Sequence, residues 1–206
     1  MLITINTIVY TGGMEIDTRE RRTQILAAAA ELFARHGYRG VSMGGLGAAV
    51  GLTGPALYRH FSGKEALLAE ILLDISTRLH DEGFRRTASA ADPLSALLDW
   101  HISFALDHQA LIVVQERELE NVPEPQRREI RRIQRAYVEE WVRVLRERCP
   151  RPEEETRAAV HAVFGLLNST PHSAGELDRP AMARLLHRMA RTALLAGPGT
   201  GSPVSG

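Results

Sequence analysis

Apolar residues recur at helical spacing along almost the whole chain, and the interruptions fall at glycines, prolines and capping residues. Ile25, Ala29, Leu32, Phe33 and His36 share one helix face that ends at Gly37, and Asp17 with Glu20 forms a capping-box-like start. A second, short periodic segment runs from Met43 to Val50, is capped by Ser42 and stops at Gly51, a residue suited to a left-handed helix end. After the turn Leu52-Thr53-Gly54, a third segment spans Pro55 to Phe61, with Pro55 in the first turn and Leu57 and Phe61 facing inward. Ser62 and Glu65 read as a capping box for a long helix to about Arg86, followed by a loop over Thr87–Ala91. Asp92-Pro93 opens a helix to about Asp107, and Gln109–Glu120, Gln126–Arg148, Glu153–Ser169 and Pro180–Ala196 follow. Pro123, Pro125, Pro150 and Pro152 separate them, and Thr170–Arg179 reads as the last loop. No strand pair, hairpin signal or internal repeat is present, so the expected fold class is all-α, of about nine helices. Residues 1–13 alternate without a pairing partner and precede Met14, which makes them a disordered arm or a misassigned start. The Gly/Pro/Ser-rich residues 197–206 are expected to form a disordered tail.

Helix, glycine-containing turn, helix is the outline of a helix-turn-helix. Its second helix carries Thr53, Tyr58, Arg59 and His60, side chains that donate hydrogen bonds to phosphates or base edges. Charge changes the picture further. The 206-residue chain has a formal net charge of zero, yet Leu32 to Lys64 contains no Asp or Glu while holding Arg35, Arg39, Arg59 and Lys64. An acid-free basic window in a neutral protein points to a local anionic partner. Cys149 is the sole cysteine, which excludes an internal disulfide and suits a reducing compartment. No apolar run has membrane-spanning length, and residues 1–13 lack the basic start and cleavage site of a secretory signal, so a cytoplasmic location is expected.

The stretch Gly51-Leu52-Thr53-Gly54-Pro55-Ala56-Leu57-Tyr58-Arg59-His60-Phe61-Ser62-Gly63-Lys64-Glu65-Ala66-Leu67-Leu68 resembles the signature of the TetR family of ligand-responsive transcriptional regulators. The family pattern, roughly G-[LV]-[ST]-x-x-x-[LI]-Y-x-[HY]-F-x-x-K-x-x-L, is matched at every specified position. The resemblance covers about residues 18–68; the remainder is similar only in helical character and length. It implies a DNA-binding domain at 14–68 and a ligand-binding and dimerisation domain at 69–196, joined by the long helix from Ser62. It also implies a homodimer on double-stranded operator DNA, acting as a repressor that a small inducer releases. By resemblance, Tyr58, His60 and Lys64 contact phosphate, Thr53, Pro55 and Ala56 approach bases, and Arg39, Ser42, Gly54 and Arg59 complete the DNA face. One departure stands out. Gly44, Gly45 and Gly47 occupy positions where the family has polar, acidic or alanine residues, and each interior glycine costs a helix roughly 1 kcal/mol relative to alanine.

Trp100/Phe104 and Tyr137/Trp141 are each four residues apart and so share a helix face. Packed core and cavity wall both explain them. The resemblance places a ligand pocket between these helices, with His101, Gln134, His161 and Asn168 as candidate polar groups. The apolar candidates favour a hydrophobic, acyl-type occupant, with a flat aromatic molecule as the alternative. The last two helices carry broad apolar faces, and Val160, Phe164, Leu167, Leu186 and Met189 are the candidate dimer contacts. The histidines lack metal-ligand spacing and no nucleophile elbow is present, so neither metal, cofactor nor catalytic residues are expected. The different-class alternative is an all-helical ligand carrier or enzyme with a vestigial DNA-binding domain; salt-dependent operator binding separates the two.

Overall fold

The helical periodicity is realised throughout the computed structural model of the chain, which describes residues 18–173, 175 and 177–196. The expected arm at 1–13, the Asp17 cap and the tail at 197–206 lie outside the described residues. In chain order the elements are α1 (Thr18–Gly40), α2 (Met43–Ala49), α3 (Gly54–Tyr58), α4 (Lys64–Ser89), α5 (Pro93–Asp107) and α6 (Gln109–Glu118). A 3-10 turn (Leu119–Asn121), α7 (Glu124–Arg148), α8 (Glu153–Leu167), the single turn α9 (Thr170–Ser173) and α10 (Arg179–Leu195) complete them. No strand occurs among the described residues. The fold is all-α.

The local signals around the helix-turn-helix act as their chemistry dictates. Ser42 caps α2 by accepting the Gly45 N–H at 3.1 Å, and Thr53 caps α3 by accepting the Ala56 N–H at 3.4 Å. Gly51 ends the first of these helices at φ 66°, and Gly37 breaks α1 at φ 69°. Gly47 is buried inside α2, where a β-carbon would lie 2.7 Å from the Leu52 carbonyl oxygen. That close approach is what allows the turn to fold back and donate Leu52 N–H to Gly47 O at 2.8 Å.

Several boundaries differ from the sequence expectation: α3 ends at Tyr58, α6 at Glu118 and α8 at Leu167, and α7 starts at Glu124 with Pro125 in its first turn, where a missing N–H costs nothing. Three further differences have a side-chain cause. The Ser62/Glu65 capping box does not form: α4 starts at Lys64 behind Gly63, with no side-chain cap. Its start is tied down instead by the Lys64 ammonium, which donates to the carbonyls of Tyr38 and Val41 at 3.0 and 3.2 Å. The expected loop at Thr87–Ala91 is helical to Ser89, because buried Thr87 donates to Phe84 O and to Glu140 Oε1 at 2.6 Å. The expected loop at Thr170–Arg179 contains α9, pinned by the Thr170 hydroxyl donating to Ala105 O at 2.9 Å.

Packing is organised around α4, which lies chiefly against α7 and α5 and also touches α1 and α6. α8 and α10 pack on each other and cover α7 and α5 respectively. Gly83 on α4 makes room for the Tyr137 ring of α7; a β-carbon there would stand 2.6 Å from Tyr137 Cε2. The apolar core runs without a break from Ile25 in α1 to Leu194 in α10.

Candidate functional site

The outer surface of α2 and α3 carries Ser42, Thr53, Pro55, Tyr58 and Arg59 as exposed residues, with Arg39 exposed at the end of α1. Tyr58 is 54% exposed. Gly54 and His60 are half-buried, and the His60 carbonyl accepts a hydrogen bond from Arg22 Nη1 at 2.8 Å. Two expected DNA contacts are placed differently. Ala56 is turned inward and is only 9% exposed, since its position in the five-residue α3 falls on the Leu57 side that packs against the core. Lys64 is spent on the Tyr38 and Val41 carbonyls and lies over the Tyr38 ring, 4.3 Å from its centroid. It braces the α1–α2 loop from within.

Sequence reasoning missed the arginines that hold this face in position. Arg21 donates to the Val50 carbonyl at the end of α2 at 2.7 Å. Arg22 pairs with Glu70 of α4, contacts the Phe61 ring and caps the end of α3 through His60 O. Glu118 was also missed: it is buried at the end of α6, and its carboxylate accepts the Tyr38 N–H at 3.2 Å beside the Gly37 break. Its other oxygen accepts from Asn121 Nδ2 at 2.8 Å. Tyr38 thus links α1, α4 and α6. Neither the arginines nor Glu118 follows a spacing rule readable from sequence, because their partners lie 29 to 80 residues away.

The aromatic candidates interlock. His101, Tyr137 and Trp141 are buried, and Phe164 of α8 packs on all three with ring centroids 4.9, 5.7 and 5.2 Å away. His101 Nε2 lies 3.1 Å from Asn168 Oδ1 and Nδ1 lies 3.3 Å from the Tyr137 hydroxyl. A neutral ring protonated on Nε2, accepting the Tyr137 proton on Nδ1, satisfies both contacts. Burial pushes the His101 pKa down to about 4 and raises that of the Tyr137 phenol. The Trp141 indole N–H is buried beside the Tyr137 hydroxyl, near enough to temper the rise in that phenol's pKa but not in good hydrogen-bond geometry with it. Trp100 and Phe104 stand to one side: Trp100 donates to Leu79 O at 3.3 Å, and the two rings meet edge to face. Gln134 reaches Ser76 at 3.5 Å, on α4. His161 points outward and is exposed, because it lies on the face of α8 opposite Val160 and Val163. The structure therefore brings together His101, Tyr137, Trp141 and Asn168, adds Phe164, and leaves the other four outside the cluster.

The candidate dimer contacts divide in the same way. Val160, Leu167 and Leu186 are buried in the chain's own core at 0–2% exposure, so they are not available to a partner. Each sits on the inner half of a broad apolar face. Phe164 is half-buried, and Met189 is 46% exposed. Among the described residues no helix is long and apolar enough to cross a membrane, and no group of three metal-ligating side chains occurs.

The profile described as "Bacterial regulatory proteins, tetR family" matches residues 25–71, and that described as "Tetracyclin repressor-like, C-terminal domain" matches residues 87–194. The chain is 35% identical over 66 residues to the HTH-type transcriptional regulator UidR of Escherichia coli, covering 32% of this chain and 34% of that protein. The alignment thus spans about a third of the curated relative. A TetR-family transcriptional regulator from Bordetella parapertussis shares the fold at a TM-score of 0.75 and 22% identity, over 85% of this chain and 94% of that one. AibR, solved in complex with isovaleryl coenzyme A and operator DNA, superposes with a TM-score of 0.70 at 20% identity, over 82% of this chain and 97% of the other. With both profiles matched, the C-terminal one over more than half of the chain, the chain belongs to the TetR family of transcriptional regulators.

Proposed function

We propose that the chain is a homodimeric repressor that binds double-stranded operator DNA through α2 and α3 and is released by a hydrophobic, acyl-type ligand. Residues 18–68 of the described chain act as the DNA-binding unit and 69–196 as the ligand and dimerisation unit, in the cytoplasm. The observation that carries this reading is the outer face of the helix-turn-helix. It exposes Arg39, Ser42, Thr53, Pro55, Tyr58 and Arg59 in a stretch of chain without one acidic residue. Phosphate contacts come from Arg39, Tyr58, Arg59 and the exposed N-terminus of α2, and base contacts from Thr53 and Pro55. A carrier or enzyme with a vestigial domain has no use for a surface so arranged.

The ligand half of the proposal centres on the cluster beneath Phe164. A thioester or carboxyl oxygen is the natural partner for the Trp141 N–H, and apolar chain chemistry suits the surrounding rings. The relative AibR, solved with isovaleryl coenzyme A and operator DNA, is in keeping with this class. Entry requires the Phe164 side chain to swing outward, which its half-exposed position on α8 permits.

The test begins with genomic DNA fragments selected by the purified protein and measured by fluorescence anisotropy across a salt series. Affinity should fall steeply with salt, and Arg59→Ala, which removes one phosphate contact from each protomer of the dimer, should flatten the log–log slope by about two units. Acyl-CoA thioesters of stepped chain length should release the DNA. Trp141→Phe should keep operator affinity and fold while blunting that release. Salt-independent binding, or no selected sequence at all, would remove the DNA-binding reading; unaltered release in Trp141→Phe would move the ligand elsewhere.

A further inference from the structure

A concavity of about 770 Å3 lies outside the aromatic cluster, where α1 meets α4 and the N-terminal half of α6, and shares no lining residue with it. Its origin is simple. Glu118 holds the C-terminal end of α6 against the end of α1 through the Tyr38 N–H. Toward the other end of the same junction α1 presents Ala27, Ala30 and Ala34, three short side chains on one helix face. The side chains that α4 and α6 contribute line the space above them without filling it. Leu26, Ile71, Leu106, Leu111, Val113 and Pro171 make the rest of the wall apolar.

The charged residues at the rim neutralise one another within the chain. Glu31 pairs with Arg35 at 3.4 Å and Asp74 with Arg78 at 3.5 Å, while Asp107 is held by Arg179 at 2.6 Å. His108 stands 3.2 Å from Arg78, and burial together with that guanidinium lowers its pKa, which keeps the ring neutral. Three acids against three arginines leave the rim without net charge to reward an ionic ligand. The volume falls in the range of small-molecule sites, roughly 300–1,000 Å3.

We propose that this cleft is a second ligand site, distinct from the cluster beneath Phe164, for an uncharged hydrophobic small molecule. An occupant touches α1, which carries the helix-turn-helix, and α4 and α6, which belong to the regulatory half. It therefore stabilises the relative placement of the two halves in which the cleft is open, by as much as its binding favours that placement over others.

The neutral dye N-phenyl-1-naphthylamine, which brightens in apolar surroundings, tests the site directly on the full chain without DNA. Wild-type protein should bind it saturably. Ala27→Phe fills the cleft from an exposed position and should weaken binding at least ~10-fold with an unchanged thermal melt. Ala34→Leu, a smaller intrusion, should weaken it in the same direction, and Phe164→Ala should leave it unaltered. The sulfonated analogue 1-anilinonaphthalene-8-sulfonate should bind this cleft at least ~10-fold more weakly than the neutral dye. Absence of saturable binding, full binding by both alanine variants, or loss of binding in Phe164→Ala would overturn the site. Equal or tighter binding of the sulfonate that Ala27→Phe abolishes would overturn the uncharged class. None of these readouts depends on operator DNA, so the result stands apart from the proposed repressor function.

Discussion

His101 shows how one buried side chain ties stability to pH. Its ring is 2% exposed and bonded as a neutral imidazole between Tyr137 and Asn168, and burial lowers its pKa from 6.5 to about 4. The folded state therefore binds this proton less readily than the unfolded chain does. Its contribution is complete above pH 6.5 and is lost as the pH falls from 6.5 toward 4. The difference corresponds to about 3 kcal/mol across that window. In His101→Gln the amide keeps a hydrogen bond but does not titrate, so the acid sensitivity between those pH values should shrink by that amount. Denaturant titrations at stepped pH measure it; parallel stability curves for the two proteins would assign the titration to another group. Lys64 teaches a different lesson at this scale. Its family position suggests a phosphate contact, yet two backbone carbonyls and the Tyr38 ring already satisfy the ammonium. A residue type at a motif position names what a side chain can bind; three-dimensional neighbours decide what it does bind.

Among the elements, α2 is the one whose sequence looks weakest. Three glycines in seven helical residues oppose helix formation, but they are not equivalent. Gly44 is exposed, and a β-carbon there would meet only the Ser42 hydroxyl at 3.9 Å. Gly44→Ala should raise stability by up to about 1 kcal/mol through helix propensity. Gly47 faces the Leu52 carbonyl at 2.7 Å, so Gly47→Ala must displace the turn backbone. That strain of about 1–3 kcal/mol outweighs the propensity gain, and Gly47→Ala should melt earlier than wild type and lose operator affinity. Thermal melts of the two variants settle the order; a stabilised Gly47→Ala would show that the turn yields freely. The helix-turn-helix was legible in advance because its determinants are local: Ser42, Gly51, Thr53 and Pro55 each act within four residues of themselves. What was not legible rests on distant partners. Thr87 stays helical because of Glu140, 53 residues away, and Glu118 meets Tyr38 across 80 residues. Periodicity also shows that Trp141 and Tyr137 face inward without saying whether a cavity or Phe164 awaits them. Val160 and Leu186 were misjudged for a related reason: a wide apolar face does not reveal which half meets its own core.

At the scale of the whole molecule, the proposed homodimer rests on the outer faces of α8 and α10. One recognition helix of five residues reads too few base pairs for a specific site, and two-fold pairing of half-sites supplies the remainder. The inner residues of α8 and α10, among them Val160, Leu167, Leu186 and Leu194, are consumed by the chain's own core. Outward stand Ala158, His161, Ala162 and Gly165 on α8, and Met189, Thr192 and Ala193 on α10. Gly165 has open space around its α-carbon, which allows another helix to approach closely. A surface of small residues around an exposed methionine suits a four-helix contact between two copies, which in stable dimers buries about 1,200–2,000 Å2 or more. Because Met189 and Ala162 are exposed, changing them should not disturb the fold of one chain. Met189→Glu and Ala162→Arg should each shift sedimentation toward the monomer, and together should abolish the dimer and operator binding while keeping the helical circular dichroism signal. Leu186→Glu is the contrasting control. It places a charge in the core and should unfold the chain rather than split it. If the Met189→Glu/Ala162→Arg protein sediments as an intact dimer with unchanged operator affinity, the two copies meet through another face. If it is a folded monomer that still binds operator as tightly as the wild type, pairing is not what gives the helix-turn-helix its specificity.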